Sequence, residues 1–386
     1  MKNSILFILI SLLTFNLLNS QNEIHLSKVE VEDVNGQFIY LLNGEKLDGI
    51  IYHNHPNNKL KVKFHVKNGL KEGPSQEYYS NGQLKVKTSF KDGQQSGLYE
   101  SYFENGQLHA RYIWKDISPD GISEEYYDNG NLHFKFIWKD GSPQDTIKSF
   151  FKTGQLKDLV IYKDGKREGL YEEYYENGQL LETFVYKAGE INGPYTAYFE
   201  NGQLKEESNY KEGKIDGSAK GYYENGQLEE VSTYKAGVRN GSLLKYYNDG
   251  QLFAKTTYKN GKLNGHFETY FENGKLNIRA NFINDIKDGV YETYHENGNS
   301  KLKGNYINGE KNGVFEIYFE NGELSWIQTY KNDKLNGRCD SYYENGTIMK
   351  LGNFKEGLKD GLFENYNKKG KLTKKVIYKD DKEIKG

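Results

Sequence analysis

The chain is 386 residues long, with 52 Lys plus Arg against 54 Asp plus Glu, 36% hydrophobic residues and a single cysteine. Near-balanced charge excludes a strong overall field towards nucleic acid or an anionic membrane, one cysteine excludes an intrachain disulfide framework and a cysteine-built metal site, and the low apolar share argues against a deep pocket. The 33 Tyr, 20 Phe and 42 Gly against only 5 Pro favour short strands closed by glycine turns.

Read from the amino terminus, Lys2 precedes an apolar run over residues 5 to 18, broken by Ser11, Thr14 and Asn16, and small Ser20 stands before Gln21. This predicts a cleavable secretory signal over residues 1 to 20, because the run is too short and interrupted for a membrane span of about 20 apolar residues. The expectation is an exported protein, periplasmic, outer-surface or secreted, with no transmembrane segment once the signal is removed. Residues 21 to 69 read as a degenerate capping segment, in which Asn58 and Leu60 are worn versions of Gly82 and Leu84 one period later. His53-Asn-His55 puts two imidazoles on one strand face, too little to predict a metal site.

Residues 70 to 386 are a repeat array. A glycine recurs every 24 residues from Gly82 to Gly370, thirteen times, within the phrase Tyr-Tyr/Phe-Glu-Asn-Gly-Gln-Leu. A fixed period of this size marks units too small to bury an apolar face alone. In the copy over residues 97 to 114, Asn105-Gly106 separates two alternating runs, which predicts a hairpin with a type I′ turn. That turn sets a register in which Glu104 faces Gln107, Phe103 faces Leu108, Ser101 faces Ala110 and Tyr99 faces Tyr112. Gly106, Gly178, Gly202, Gly226, Gly274, Gly322 and Gly346 are accordingly predicted turn glycines. A second motif, Lys-x-Gly-x-x-x-Gly, as at residues 187 to 193, reverses the chain into the next hairpin. The fold class that follows is all-β: one elongated repeat array of 24-residue antiparallel β-hairpins, forming an open twisted sheet or half-pipe.

Counting from the grid glycine defines rows. Position plus eight is aromatic in every copy, as in Trp114, Tyr186, Tyr306 and Tyr330, and with position minus three it is predicted to form the spine of the core. Asp158, Glu182, Glu206 and Glu230, at plus four on the same face, point to an open margin. On the opposite face, minus four carries Tyr102, Tyr126, Tyr174, Tyr198, Tyr222, Tyr246, Tyr270, Tyr318 and Tyr342, the candidate partner-binding row. Its hairpin partners are mostly polar, such as His109 opposite Tyr102 and Lys205 opposite Tyr198. Tyrosines in line offer rigid amphipathic area to a protein or a glycan. Minus two is an acidic margin including Glu104, Glu176 and Glu200, whose members stand about 10 Å apart, too far for one metal ion to bridge. No metal or cofactor is predicted. No nucleophile elbow, phosphate loop or Cys-x-x-Cys occurs, and Cys339 falls in the row of Tyr99 and Phe363 as a small core substitute, so the chain reads as a non-enzyme.

The phrase Tyr-Tyr-Glu-Asn-Gly-Gln-Leu, followed by Tyr-Lys-x-Gly and a closing Asn-Gly or Asp-Gly, resembles the variant MORN repeats of bacterial proteins, over residues 70 to 386. Such proteins are often grouped as YwqK-like antitoxin or immunity proteins. The resemblance implies a β-hairpin array that binds another protein, a toxin in the sharper version, with no catalytic residues to carry over. With the export signal, an exported immunity protein or an envelope scaffold is expected. The alternative is a glycan or cell-wall binding array, against which stands the presence of only Trp114, Trp138 and Trp326. A hydrolase comes third, since no polar set converges.

Overall fold

The computed structural model describes residues 22–115 and 118–384; the predicted secretory signal lies outside them. Almost every element is a strand, the one helical piece among the described residues being a 3-10 turn at Leu26–Lys28. Among those residues no helix is long and apolar enough to cross a membrane. The chain divides into two compact units, Met1–Glu190 and Ile191–Gly386.

In the first unit Gly49–Asn54 pairs with Leu60–Lys67, which pairs with Leu70–Tyr78, and each later strand adds beside the last, antiparallel, as far as Leu180–Lys187. Glu23–His25 lies parallel to Gly49–Asn54 at the outer edge, and Glu30–Val34, Gln37–Leu42 and Glu45–Lys46 form a separate small sheet. Tyr40, Leu47, Ile51, Phe64 and Val66 pack there into a buried cluster that covers the first hairpin. The second unit repeats the same ladder from its first hairpin, Gly193 opposite Tyr210, to Lys382–Ile384. Neither sheet closes on itself among the described strands.

The grid turns are not type I′. Gly106 is left-handed at φ 86°, but Asn105 before it is not; the Gly106 N–H donates to the Phe103 carbonyl (2.9 Å) and the Phe103 N–H to the Gln107 carbonyl (2.8 Å). This is a three-residue loop, a type I turn over Glu104-Asn105 closed by a left-handed glycine. Phe103 therefore faces Gln107 and Tyr102 faces Leu108, in place of the expected pairs, and the second strand absorbs the difference at His109, so that Ser101 opposite Ala110 and Tyr99 opposite Tyr112 stand as expected. The reason is Asn105 itself. Its Oδ1 accepts from the Gln107 N–H (3.0 Å) and its Nδ2 donates to the Asp128 carbonyl of the next repeat (3.0 Å), contacts that a left-handed Asn would give up. Gly178, Gly202, Gly226, Gly274, Gly322 and Gly346 are left-handed at the same place, and Asn58, at φ 63°, closes a turn of the same kind.

Type I′ turns occur at the other end of the hairpin, in Lys-x-Gly. Asp164 (φ 50°) and Gly165 (φ 76°) join Lys163 to its partner Lys166. The closing glycine of that motif, Gly169, takes φ 102° where the ladder skips between Tyr162–Arg167 and Val160–Tyr171, so it serves a bulge. Both edges are stitched from repeat to repeat. On the I′ edge the Gly261 N–H reaches the Arg239 carbonyl (2.8 Å) and the Asn240 side chain accepts from the Asn260 N–H (3.1 Å). On the grid edge the Tyr223 hydroxyl donates to the Tyr246 carbonyl (2.8 Å).

The most buried rows are not the two aromatic rows expected to form the spine, plus eight and minus three. Positions minus seven, minus five, plus four and plus six bury Ser123, Ser341, Ala110, Ala280 and Phe315 almost completely. Of the plus-eight aromatics Tyr186 is buried, while Phe90, Tyr210, Tyr306 and Tyr330 are half-buried, as are minus-three residues such as Phe103 and Tyr223. Apart from the cap, strands touch the strands beside them, so a large ring has no second layer to cover it. Instead Tyr306 and Tyr330 pack edge-on against Phe315 (5.6 and 5.2 Å between centroids), and Lys311 lies over Phe315 and Tyr330.

Candidate interaction surfaces

On the face opposite the buried rows, each candidate tyrosine is the last residue of its strand. Tyr102, Tyr126, Tyr174, Tyr198, Tyr222, Tyr246, Tyr270, Tyr318 and Tyr342 are all half-buried. Their expected polar partners sit elsewhere, because the extra residue of the second strand turns towards minus three: His109 packs on Phe103 (4.5 Å) and the Lys205 ammonium lies over Phe199 (5.7 Å).

Most of the tyrosine hydroxyls are engaged by carboxylates. Tyr102 donates to Glu100 (3.0 Å), Tyr126 to Glu124 (2.9 Å), Tyr174 to Glu172 (2.7 Å), Tyr270 to Glu268 (2.8 Å) and Tyr318 to Glu316 (2.7 Å), in each case two residues back on the same strand. Tyr222 reaches Glu207 on the neighbouring strand (2.9 Å), and Tyr342 accepts from Arg338 (2.8 Å). Those carboxylates belong to a ladder of alternating charge that runs from strand to strand beside the tyrosines. Lys87, Glu100, Arg111, Glu124 and Lys135 follow one another across the first unit, with Arg111–Glu100 at 3.1 Å and Lys135–Glu124 at 3.2 Å. In the second unit Arg279 bridges Glu268 (3.2 Å) and Glu292 (3.4 Å). The signal was present, an acid at minus six and a base at plus five, and emerges only when the rows are laid side by side in the observed register.

The electrostatics follow. Burial first, then the hydrogen bond to Glu172 and its charge, pushes the Tyr174 phenol up to about 12, and burial followed by Glu316 pushes Tyr318 up to about 12 as well. In return the hydrogen bond from Tyr270, with Arg279 beside it, holds the Glu268 carboxyl below its ordinary value, and Lys220 with Tyr222 does so for Glu207. Phenol and carboxylate thus each keep the form that the other needs.

Of the other candidates, Glu104, Glu176 and Glu200 are exposed beside the grid turns. His53 packs against His25 (5.2 Å) whereas His55 meets the Tyr78 carbonyl (2.9 Å), so the two imidazoles do separate work. Cys339 is half-buried opposite Gln328, and burial pushes its thiol up. Among the described residues no group of three or more His, Cys, Asp or Glu is placed to hold a metal ion.

One exposed feature of the tyrosine face was not foreseen. Leu98 opposite Ile113, Ile122 opposite Ile137 and Leu170 opposite Val185, with Ile161 opposite Thr146, form a strip of aliphatic side chains across eight successive strands of the first unit. Leu98, Ile113, Ile122 and Leu170 are 44%, 42%, 45% and 38% exposed. At about 4.8 Å per strand the strip runs roughly 34 Å.

No curated protein matches the chain. Two solved structures are similar over most of its length: the crystal structure of TcdB2-TccC3-Cdc42, at 12% identity over 90% of this chain and 23% of that chain with a TM-score of 0.16, and the Tc holotoxin pore of Photorhabdus luminescens, at 13% identity over 88% and 19% with a TM-score of 0.15. This chain spans about a fifth of the length of each, and at such scores neither bears on its fold or function. The family model described as MORN repeat variant matches eleven segments, 71–92, 95–116, 119–140, 167–188, 191–212, 215–236, 239–260, 263–284, 287–308, 311–332 and 335–356. It passes over the copy around Gly154, where Lys152-Thr153 replaces Glu-Asn, yet Ser142–Phe150 and Leu156–Lys163 still pair there around the same turn. Matched over more than half its length, this chain belongs to the MORN repeat variant family.

Proposed function

We propose that this chain is a non-catalytic scaffold whose aliphatic strip docks a partner protein. The observation that carries the reading is that the fold does not need the strip. Over residues 217 to 281 of the second unit the same two rows hold Ser218 opposite Thr233, Ser242 opposite Thr257 and His266 opposite Asn281 on an equally regular ladder, and only beyond them do Val290, Val314, Leu362 and Ile377 bring exposed aliphatic side chains back to these rows. A contiguous strip of exposed aliphatic side chains that the ladder can do without marks a surface that a binding partner would cover. The tyrosine row beside them, with its hydroxyls turned to the glutamates, supplies rigid apolar flank more than free hydrogen-bonding groups.

The sharper version is an immunity protein that neutralises an exported toxin by covering it, working outside the cytoplasm. Support comes from the family, from the absence of a catalytic motif and from the sequence pattern of residues 1 to 20. The test is comparative affinity capture with the full chain and with a Leu98→Asp/Ile122→Asp variant. The variant is expected to lose the captured partner and to melt within about 2 °C of the parent. Capture of the same partners by both removes the strip from the reading.

A further inference from the structure

The plus-four row on the buried face changes sign along the second unit. It begins with Glu206 and Glu230, continues through Ala254, Ile278 and Leu302, and ends with Trp326, Lys350 and Lys374. At the acidic end Glu230 is paired, meeting Arg239 at 2.7 Å and Lys245 at 3.1 Å, and Glu206 accepts from the Ser208 hydroxyl at 3.3 Å. At the basic end Lys350 and Lys374 are exposed and have no anionic partner among the described residues. Both stand beside Asn365, one on each neighbouring strand, which places their stems about 10 Å apart.

These lysines rim a hollow. Gly352 lacks the side chain that its row would carry, and the Phe363 ring lies over it so closely that a Cβ there would come within 2.3 Å of the ring. Phe354, Phe363 and Tyr378 form the floor, Trp326, 37% exposed, forms one wall, and Lys359 leans over Tyr378 (4.9 Å). The cavity measures about 290 Å³ and no carboxylate lines it. An apolar floor under three ammonium groups is complementary to a ligand with an apolar side chain flanked by negative charges. A bare inorganic anion has no use for the rings. The floor rings meet at 78° and 84°, alternately edge and face, so they offer no flat platform for stacking a sugar.

We propose that this hollow receives an acidic peptide segment of a partner protein, one aromatic or large aliphatic side chain entering between Trp326 and Phe363 and two carboxylates meeting Lys350 and Lys374. In an extended segment a 10 Å separation corresponds to about three residues. The inference deepens the scaffold reading by naming the chemistry of a second contact, on the other face and in the other unit from the aliphatic strip.

The probe is a fluorescein-labelled peptide, Ser-Gly-Glu-Gly-Phe-Glu-Gly-Ser, titrated with the full chain and followed by anisotropy. Saturable binding is expected. It should weaken at least tenfold in a Lys350→Glu/Lys374→Glu variant, at least fivefold when the peptide Phe becomes Ala, and severalfold in about 0.5 M salt. The two lysines are exposed, so the variant should melt with the parent; if it does not, the Ala peptide against the parent chain decides alone. Absence of saturable binding to about 1 mM, equal binding of a peptide with Lys for Glu, or tighter binding of an oligogalacturonate, which would mark an acidic-glycan site, overturns the proposal. Any of these leaves the capture experiment on the strip unaffected, and a failed capture leaves this titration standing.

Discussion

Asn225 accepts the Gln227 N–H (3.0 Å) with one atom of its side chain and donates to the Asn248 carbonyl of the next repeat (2.8 Å) with the other. Asn225→Ala should cost about 1–2 kcal/mol, while Asn225→Asp, which keeps the acceptor and loses the donor, should fall between; urea unfolding of the three proteins checks the order. The tyrosine–glutamate pairs make stability depend on pH from both sides. Glu268 and Glu207 have folded values below the ordinary 4.5, so what they contribute is present above pH 4.5 and fades as the pH falls through those lower values. Tyr174 and Tyr318 have folded values of about 12 against an ordinary 10.0, so their contribution is full below pH 10 and lost as the pH rises towards 12. Melting temperature should therefore hold a plateau between these limits and fall outside them, with the alkaline fall shallower in a Tyr174→Phe/Tyr318→Phe variant. An unchanged alkaline limb would mean that these phenols are not coupled to folding.

At the scale of the element, strands and their faces were legible because alternation is local, and the central register around Ser101 and Ala110 was read correctly. The turn was not. Asn-Gly suits the two-residue type I′ loop and also the end of a three-residue loop, and the choice is made by the Asn105 contact to Asp128, 23 residues away, which no local pattern contains. The core row was misread for a related reason. The plus-eight and minus-three rings look like a core in sequence, but in a single-layer sheet the rows between them, which hold small residues such as Ser123 and Ala280 together with the Phe315 ring, are the ones that become enclosed. Gly304 shows the consequence: a Cβ there would lie 2.3 Å from the Phe315 ring, which is 1% exposed. Gly304→Ala should destabilise by about 1–3 kcal/mol, and the double change Gly304→Ala/Phe315→Leu should recover part of it; calorimetry distinguishes this from a simple loss of packing. Gly226→Val, by contrast, meets no backbone wall but must take φ 84°, and a similar loss is expected from backbone strain.

For the whole molecule, units that bond only to their neighbours should lose stability locally. Leu47 is 5% exposed in the amino-terminal cluster, so Leu47→Ala should cost about 2–5 kcal/mol and raise hydrogen exchange in Gly49–Asn54 and Leu60–Lys67 while leaving Leu324–Lys331 unchanged. A uniform rise along the chain would show one cooperative unit instead. The sequence by itself determined the 24-residue period, the hairpin, the two faces and the family, because each is written in spacing along the chain. Only the tertiary structure decided which surfaces are free. The tyrosines found by their regularity proved to be largely engaged by their own glutamates, whereas the aliphatic strip and the lysine-rimmed hollow arise where side chains from successive repeats are brought side by side. Burial and most of the pairing belong to neighbours across strands, such as Leu98 and Ile113 or Arg111 and Glu124, which lie about half a repeat apart in the sequence.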